Sequence, residues 1–110
     1  MATIRSELKT RVPASEVWSA VRDIGALHTR LVPGFVTDTK LEPGARIVTF
    51  INGAVLREPI VTLDDKARRL VWTHEGGRAR HYNGALHVTE LTDGLTSVVW
   101  TAELASEAVH

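Results

Sequence analysis

The chain has 110 residues, of which 44% are hydrophobic and 24% charged, values typical of one globular domain spanning residues 1–110. Its 13 basic and 13 acidic residues give a formal net charge of zero, which offers no electrostatic reason to expect nucleic acid as a partner. No cysteine is present, so disulfides, thiolate nucleophiles and cysteine metal sites are excluded. No signal-like or membrane-length apolar segment occurs, and we expect a cytoplasmic protein without a membrane span.

The first predicted elements are a strand and two short helices. Thr3 to Thr10 alternates charged side chains with apolar or small ones, which predicts a half-exposed strand. Pro13 marks a helix start that Ser15 is placed to cap, and apolar residues recur at helical spacing as far as Ile24. Ala26 to Leu31 forms a second short helix, ended by a Pro-Gly pair.

Everything after these helices has the pattern of strands separated by short turns. Asn52-Gly53 is the strongest turn signal, because both central residues of a type I′ hairpin turn need positive φ. Short connections predict an antiparallel meander, and with the first strand the sheet has seven strands. The six predicted strands of the meander are 36–41, 46–51, 55–63, 69–74, 80–91 and 95–104.

The side chains available to fill this sheet are mixed in character. The fifth strand carries Leu70, Trp72 and His74 on one side, and the sixth carries Asn83 and His87 on one face. Two short helices cover little of a seven-stranded sheet. A strongly bent sheet with large aromatic and scattered polar side chains inside predicts a cavity as much as a packed core.

Five segments, in this order and spacing, are similar to those of a known family. They are Val12–Trp18, Leu31–Gly34, Gly53 with Leu56–Ile60, Leu63–Asp65 and Thr96–Trp100. On these segments the chain resembles the START/SRPBCC superfamily, in particular its polyketide cyclase/dehydrase-like branch. The resemblance implies an α+β helix-grip fold, with a curved seven-stranded antiparallel sheet, two short helices after strand 1, and a cavity for a small hydrophobic or amphipathic molecule. It implies no cofactor.

The family resemblance also implies a long C-terminal helix lying across the open sheet. The sequence stops at His110, so Ala105 to His110 can only begin such a helix, and we expect it to be absent or truncated. A bare concave face exposes a large apolar patch, which monomers rarely tolerate. Three alternatives stay open: a shortened sequence, a second copy covering the face in a homodimer, or a looser structure than the family norm.

Glu58 is the first candidate for chemistry. It shares the predicted inward side of its strand with Leu56 and Ile60, and a carboxylate in an apolar pocket can act as an acid or base. The competing interpretation is an ion pair with an arginine or a position at the sheet rim. Arg57 falls on the opposite face and is expected to be solvated. Pro59 lacks an N–H, which predicts a bulge or an edge there.

The histidines do not predict a metal site. His81 and His87 are six residues apart, about 20 Å along a strand, which separates them too far for one metal ion. We expect His87 and Asn83 to make hydrogen-bonding contacts to a ligand, or else to be structural.

The tryptophans divide between core and cavity in our prediction. Trp18 and Trp100 are expected to fill core, and Trp72 to line the cavity, because a buried indole N–H needs a polar partner. The predicted ligand-binding set is therefore Glu58, Trp72, His74, Asn83 and His87.

Three functions are compatible with these residues. The first is binding or transport of a small hydrophobic or aromatic ligand. The second is a polyketide aromatase/cyclase- or dehydratase-like enzyme, with Glu58 and His87 as its acid and base, because positioning in a cavity supplies much of the rate. The third is a protein-interaction module that uses the uncovered face of the sheet.

Overall fold

The sheet contains seven antiparallel strands in the order β1-β7-β6-β5-β4-β3-β2. The structure is a computed structural model, and it describes residues 2–31, 33–75 and 79–106. The predicted meander and its first strand are confirmed. The strands are β1 (Ala2–Thr10), β2 (Val36–Glu42), β3 (Ala45–Phe50), β4 (Val55–Asp64), β5 (Arg69–Thr73), β6 (Ala79–Glu90) and β7 (Thr96–Ser106).

The helical segment between β1 and β2 has three parts. Helix α1 (Ala14–Arg22) is followed by a 3-10 turn at Ile24–Ala26 and a π-helical turn at Leu27–Leu31. The helix begins two residues earlier than a Ser15 cap requires. Pro13 is the N-cap residue, and its carbonyl accepts the first helical hydrogen bonds without help from a capping side chain.

The core lies where α1 packs on the concave face of the sheet. Leu70 and Val88 of the sheet and Val21 of α1 are fully buried there, beside the indoles of Trp18 and Trp72. A second, smaller cluster joins Leu27 to Val36 and Val48. Both clusters lie toward the helical side, so the packed core occupies only part of the concave face.

The turn between β3 and β4 differs from the predicted type I′ hairpin. Gly53 has φ of 88°, whereas Asn52 does not adopt positive φ. The strands separate at Phe50 and Val55, and the Asn52 side chain accepts a hydrogen bond from the N–H of Ala54. The amide side chain thus stabilises a four-residue loop instead of the two-residue turn.

β7 continues further than the sequence predicted. Ala105 and Ser106, expected to begin a helix, pair as strand with His81 and Ala79 because the long strand β6 extends the ladder. The rest of the predicted helical start, residues 107–110, lies outside the described residues. Among the helices that the structure describes, none is long and apolar enough to cross a membrane.

Candidate functional site

A cavity of about 540 Å³ lies between the concave face of the sheet and the helical turns. Leu8 on β1 and Phe35 before β2 stand at its rim with 64% and 54% of their surface exposed, so the cavity is open to solvent on that side. Its volume falls in the usual range of small-molecule sites. The apolar wall includes Leu27, Leu31, Val36, Phe50, Leu86 and Trp100.

One part of the wall carries a buried ion pair. Arg46 on β3 lies directly opposite Glu58 on β4, and its Nε donates to Glu58 Oε1 over 2.8 Å. The two side chains are only 3% and 5% exposed. The Arg46 guanidinium also lies 5.4 Å from the centre of the Trp72 ring, a cation–π distance.

The second oxygen of Glu58 is bound by His74. The distance from His74 Nε2 to Glu58 Oε2 is 2.8 Å, and the imidazole is mostly buried. An ionised carboxylate only accepts hydrogen bonds, so Nε2 is the nitrogen that carries the proton in this pair. Both carboxylate oxygens of Glu58 therefore have a fixed donor.

Tyr82 on β6 completes the group. Its ring stacks on the His74 imidazole with 3.8 Å between the ring centres and 4° between the planes. Burial raises the pKa of Tyr82 above its ordinary value of 10.0, and the nearby negative charge of Glu58 raises it further. A hydrogen bond with Trp100 opposes this increase in the pKa.

Arg46, Glu58, His74 and Tyr82 are referred to below as the polar cluster. Among the described residues, no buried side-chain nitrogen or oxygen lacks a hydrogen-bond partner. Arg46 commits Nε to Glu58, and a guanidinium carries four further N–H groups on its terminal nitrogens. The cluster thus combines cationic donors, a fixed carboxylate and an imidazole on one wall of an apolar cavity.

Three of the predicted residues lie at the cavity. Glu58, Trp72 and His74 all line it. Glu58 faces inward, and it forms the ion pair with an arginine that the competing interpretation offered. Sequence reasoning missed Arg46 and Tyr82. Arg46 lies directly opposite Glu58 in the β3–β4 register, which depends on the four-residue loop and would not follow from the predicted two-residue turn.

Asn83 and His87 were wrongly assigned to the cavity. β6 turns Tyr82, Leu86 and Val88 inward, so the residues between them lie on the outer face of the sheet. His87 is exposed, and Asn83 lines a separate depression of about 350 Å³ on that outer face. Neither residue can contact a molecule in the cavity.

Trp100 also differs from its predicted place in the core. It is only partly buried, and its ring forms part of the cavity wall. Its position follows from the pairing of β7 with β6, in which Trp100 lies opposite inward-facing Leu86. Trp18, in contrast, is buried in the core as expected.

Arg57 lies on the outer face and is more than a solvated residue. It pairs with Glu42 and with Glu75, the latter over 2.5 Å, and its side chain is 40% exposed. Hydrogen bonds to Glu42 and then to Glu75 raise the pKa of Arg57. Pro59 lies inside the sheet near a register shift between Ile60 and Thr62, which selects the predicted bulge over an edge.

The described part of the chain contains no group of three or more His, Asp or Glu side chains arranged to hold a metal ion. The side chains that face the cavity and carry charge instead pair with one another.

The family profile described as polyketide cyclase/dehydrase and lipid transport matches residues 1–109. The chain belongs to this family. The resemblance to the START/SRPBCC superfamily is thereby confirmed. A search among curated proteins finds no match to this sequence.

Solved structures of this family's fold superpose closely on the chain. An uncharacterized protein of Bacillus thuringiensis has a TM-score of 0.89 at 18% identity, covering 99% of this chain and 82% of its own. A Thermobifida fusca protein is 31% identical with a TM-score of 0.81, covering 98% and 76%. Norcoclaurine synthase of Thalictrum flavum has a TM-score of 0.76 at 19% identity, covering 97% and 70%. The first and third of these show the fold alone.

Proposed function

We propose that this protein binds, and thereby stores or transports, a small hydrophobic or aromatic molecule in the cavity. One observation carries the proposal: an apolar cavity of about 540 Å³, open to solvent, has a single polar wall. The description of the family, which includes lipid transport, supports it. A cytoplasmic location stays a prediction of the sequence.

The polar wall indicates what kind of molecule fits. Burying an ion pair costs more desolvation free energy than burying two apolar side chains of similar size. The Arg46–Glu58 pair is therefore less favourable in the cavity wall than an apolar pair would be. Its cost is understandable if the guanidinium contacts a bound molecule. We therefore assign Arg46 to the polar end of the ligand, a carbonyl or carboxylate oxygen, with Trp72 beside it.

The site proposed here differs from the one predicted from sequence. Glu58, Trp72 and His74 stay in it, and Arg46 and Tyr82 join them. Asn83 and His87 leave it because they lie on the other face of the sheet. In this arrangement His74 holds Glu58, Glu58 orients Arg46, and the remaining N–H groups of the guanidinium meet the ligand.

Two probes of the same shape test the polar end. 2-Acetonaphthone and 2-ethylnaphthalene differ chiefly in a carbonyl oxygen, and their binding is measured by quenching of tryptophan fluorescence. We expect saturable binding of both, with the ketone about tenfold tighter because it accepts a hydrogen bond from a charged donor. The double variant Arg46→Met with Glu58→Gln, which leaves neither charge of the pair buried alone, should remove that difference in affinity and keep the binding of the hydrocarbon.

A pair of neighbouring substitutions tests the location. Leu86→Trp fills the cavity from β6, whereas Ala85→Trp places the same side chain on the outer face. We expect Leu86→Trp to abolish saturable uptake of both probes and Ala85→Trp to leave it unchanged. Equal behaviour of the two variants, both being folded by circular dichroism, would contradict binding in the cavity.

The contact between Glu58 and His74 favours a second candidate function, acid–base catalysis on a carbonyl compound. A carboxylate hydrogen-bonded to an imidazole can move a proton, and the Arg46 guanidinium can stabilise the enolate that forms. Exchange of the methyl hydrogens of 2-acetonaphthone for deuterium, followed by NMR, tests it. Acceleration by the protein that is lost in Glu58→Gln and kept in Arg57→Gln supports catalysis; equal rates with and without protein exclude it for this class of ketone.

A further inference from the structure

Strand β1 is an edge of the sheet, and no strand that the structure describes pairs with its outer side. Residues Ala2 to Lys9 are all exposed, on the concave and the outer face alike. The pairing of β1 with β7 runs from Ala2 to Thr10 without a bulge, and the strand contains no proline. A long, regular edge presents unpaired backbone N–H and C=O groups to any strand that can lie beside it.

The opposite edge of the sheet is protected by two devices. β2 has a register shift between Val36 and Asp38, which interrupts its edge. It also packs against both short helical turns, Ile24–Ala26 and Leu27–Leu31. Proteins commonly blunt their edge strands by bulges and by cover of this kind. β1 has neither, so the two edges differ in their readiness to pair.

The sequence of β1 is complementary to itself in the antiparallel direction. Two copies can pair about a two-fold axis perpendicular to the sheet that lies midway between their β1 strands. When the axis is level with a residue of β1, that residue faces its own copy, and the concave and outer faces each continue from one copy to the other. An axis at Ser6 pairs the whole strand, because Ser6 is its central residue. This register places Arg5 opposite Glu7 and Ile4 opposite Leu8 of the second copy.

The neighbouring registers are unfavourable. An axis through Arg5 sets the two Arg5 side chains against each other, and an axis through Glu7 does the same with the two carboxylates. Like charges directly opposite in a pair of strands are destabilising, whereas opposite charges and apolar pairs are stabilising. Registers further away shorten the paired strand. Length and charge therefore select the register centred on Ser6.

We propose that two copies of this chain associate through their β1 strands, antiparallel and in register about Ser6, to form one continuous sheet. Each dimer contains two Arg5–Glu7 pairs on the outer face and two Ile4–Leu8 pairs on the concave face. Leu8 stands at the cavity rim, so Ile4 of the second copy extends the apolar rim of the cavity. The proposal holds whether or not the cavity binds the molecule proposed above.

A single engineered cysteine tests the register, since the chain contains none of its own. In Ser6→Cys the two thiols face each other across the axis, at the roughly 4.5–5.5 Å Cα separation of paired strands, which suits a disulfide. The control Lys9→Cys is also exposed on the same strand, but its two copies are about 20 Å apart in this register. We expect mild oxidation to cross-link the first variant and not the second. Equal cross-linking of both, or none of either, overturns the register.

Charge reversal tests the association itself. Arg5→Glu opposes two carboxylates across the interface, and Glu7→Arg opposes two guanidinium groups; each should weaken dimerisation roughly tenfold. A mixture of the two variants restores both opposite-charge pairs. At a concentration near the dissociation constant of the parent dimer, we expect native mass spectrometry to show each variant mainly as a monomer and the mixture mainly as a heterodimer.

The two charge-reversal variants have different effects on the hydrogen bonds within a single chain. Glu7 accepts a hydrogen bond from the Ser97 hydroxyl over 2.5 Å, whereas Arg5→Glu leaves that contact in place. Recovery of a dimer on mixing cannot come from damage to the fold. A parent protein that stays monomeric across a dilution series, or a mixture that stays monomeric, overturns the proposal.

Discussion

Two adjacent residues of β4 show how differently the two faces of this sheet use charge. Glu58 points inward and is bound by Arg46 and His74, with its side chain 5% exposed. Arg57 points outward and is bound by Glu42 and Glu75, with its side chain 40% exposed. Each residue thus has two partners at hydrogen-bond distance. The two residues differ in how much of each side chain is exposed to solvent.

The comparison shows that an ion pair contributes according to what surrounds it. On the outer face, water screens the charges and would solvate either partner alone, so the pairing of Arg57 adds little to the stability of the fold. At the cavity wall the side chains of Arg46 and Glu58 are buried, so solvent compensates little for a charge left without its partner. Removing one member of the inner pair is therefore strongly destabilising, although the intact pair contributes little to the net stability of the fold.

The largest expected effect comes from breaking the inner pair. Glu58→Gln leaves the buried guanidinium of Arg46 uncompensated, and we expect the free energy of unfolding to fall by about 3–5 kcal/mol. The double variant Glu58→Gln with Arg46→Met should recover part of this loss. Urea unfolding measures both, with Arg57→Gln as the outer-face control. If Arg57→Gln lowered the free energy of unfolding as much as Glu58→Gln does, the proposed difference between the two faces would be wrong.

A methyl group on the inner face should have the next largest effect. A Cβ at Gly84 would lie 2.5 Å from the buried Trp72 indole, which lies directly across from it on β5. Gly84→Ala is expected to cost about 1–3 kcal/mol of unfolding free energy and to shift the tryptophan emission. Gly25→Ala is the matched control, since its Cβ would meet the exposed side chain of Leu41, which can move. Equal costs would contradict a rigid inner wall.

The pKa of Tyr82 reports the burial and the charge at the cavity wall, and it can be measured directly because Tyr82 is the only tyrosine in the sequence. Burial and the charge of Glu58 raise its pKa above 10.0, so the folded protein keeps this proton while the unfolded chain loses it. Stability should be independent of this group below pH 10.0 and fall as the pH rises through the raised pKa. The ultraviolet absorbance of tyrosinate reports the titration. Glu58→Gln should lower the midpoint without returning it to the ordinary value, since burial is the larger cause.

The smallest effect is expected at an exposed contact of α1. Asp65 accepts hydrogen bonds from Arg22 and from the Trp18 indole, and these lower its pKa below 3.8. Its contribution to stability is present above that ordinary value and is lost as the pH falls through the lowered pKa. Asp65→Asn should therefore reduce the melting temperature slightly at neutral pH. Below the lowered pKa the two proteins should melt together, and a difference that persists in acid would exclude this origin.

The fold followed from the sequence because its signals are local. Turn residues at short intervals and strands of alternating character define an antiparallel meander without any knowledge of long-range contacts. The exceptions are also local. The side chain of Asn52 stabilises a longer loop than expected, and the ladder with β6 carries Ala105 and Ser106 into β7.

The site followed only in part, because a strand pattern does not say which face is inside. Both faces of β6 are mixed, and the hydrogen-bonding groups of Asn83 and His87 favour their face as the inward one in a prediction from sequence. The inward face is instead the one with Gly84, which leaves room for Trp72. Tyr82 lies on this same inward face of β6, and it therefore belongs to the site. Such a choice depends on packing between strands, which alternation alone cannot supply.

Gly84 has a consequence for selectivity. The indole of Trp72 rests against the backbone of β6 at this glycine, so the glycine determines how far the ring stands out into the cavity. A larger residue at this position would push the ring forward and make the cavity shallower. For the ligand proposed above, the depth of the cavity is then determined by a residue that lies behind the wall, and a substitution at Gly84 would change the size of molecule that fits without altering any side chain that touches it.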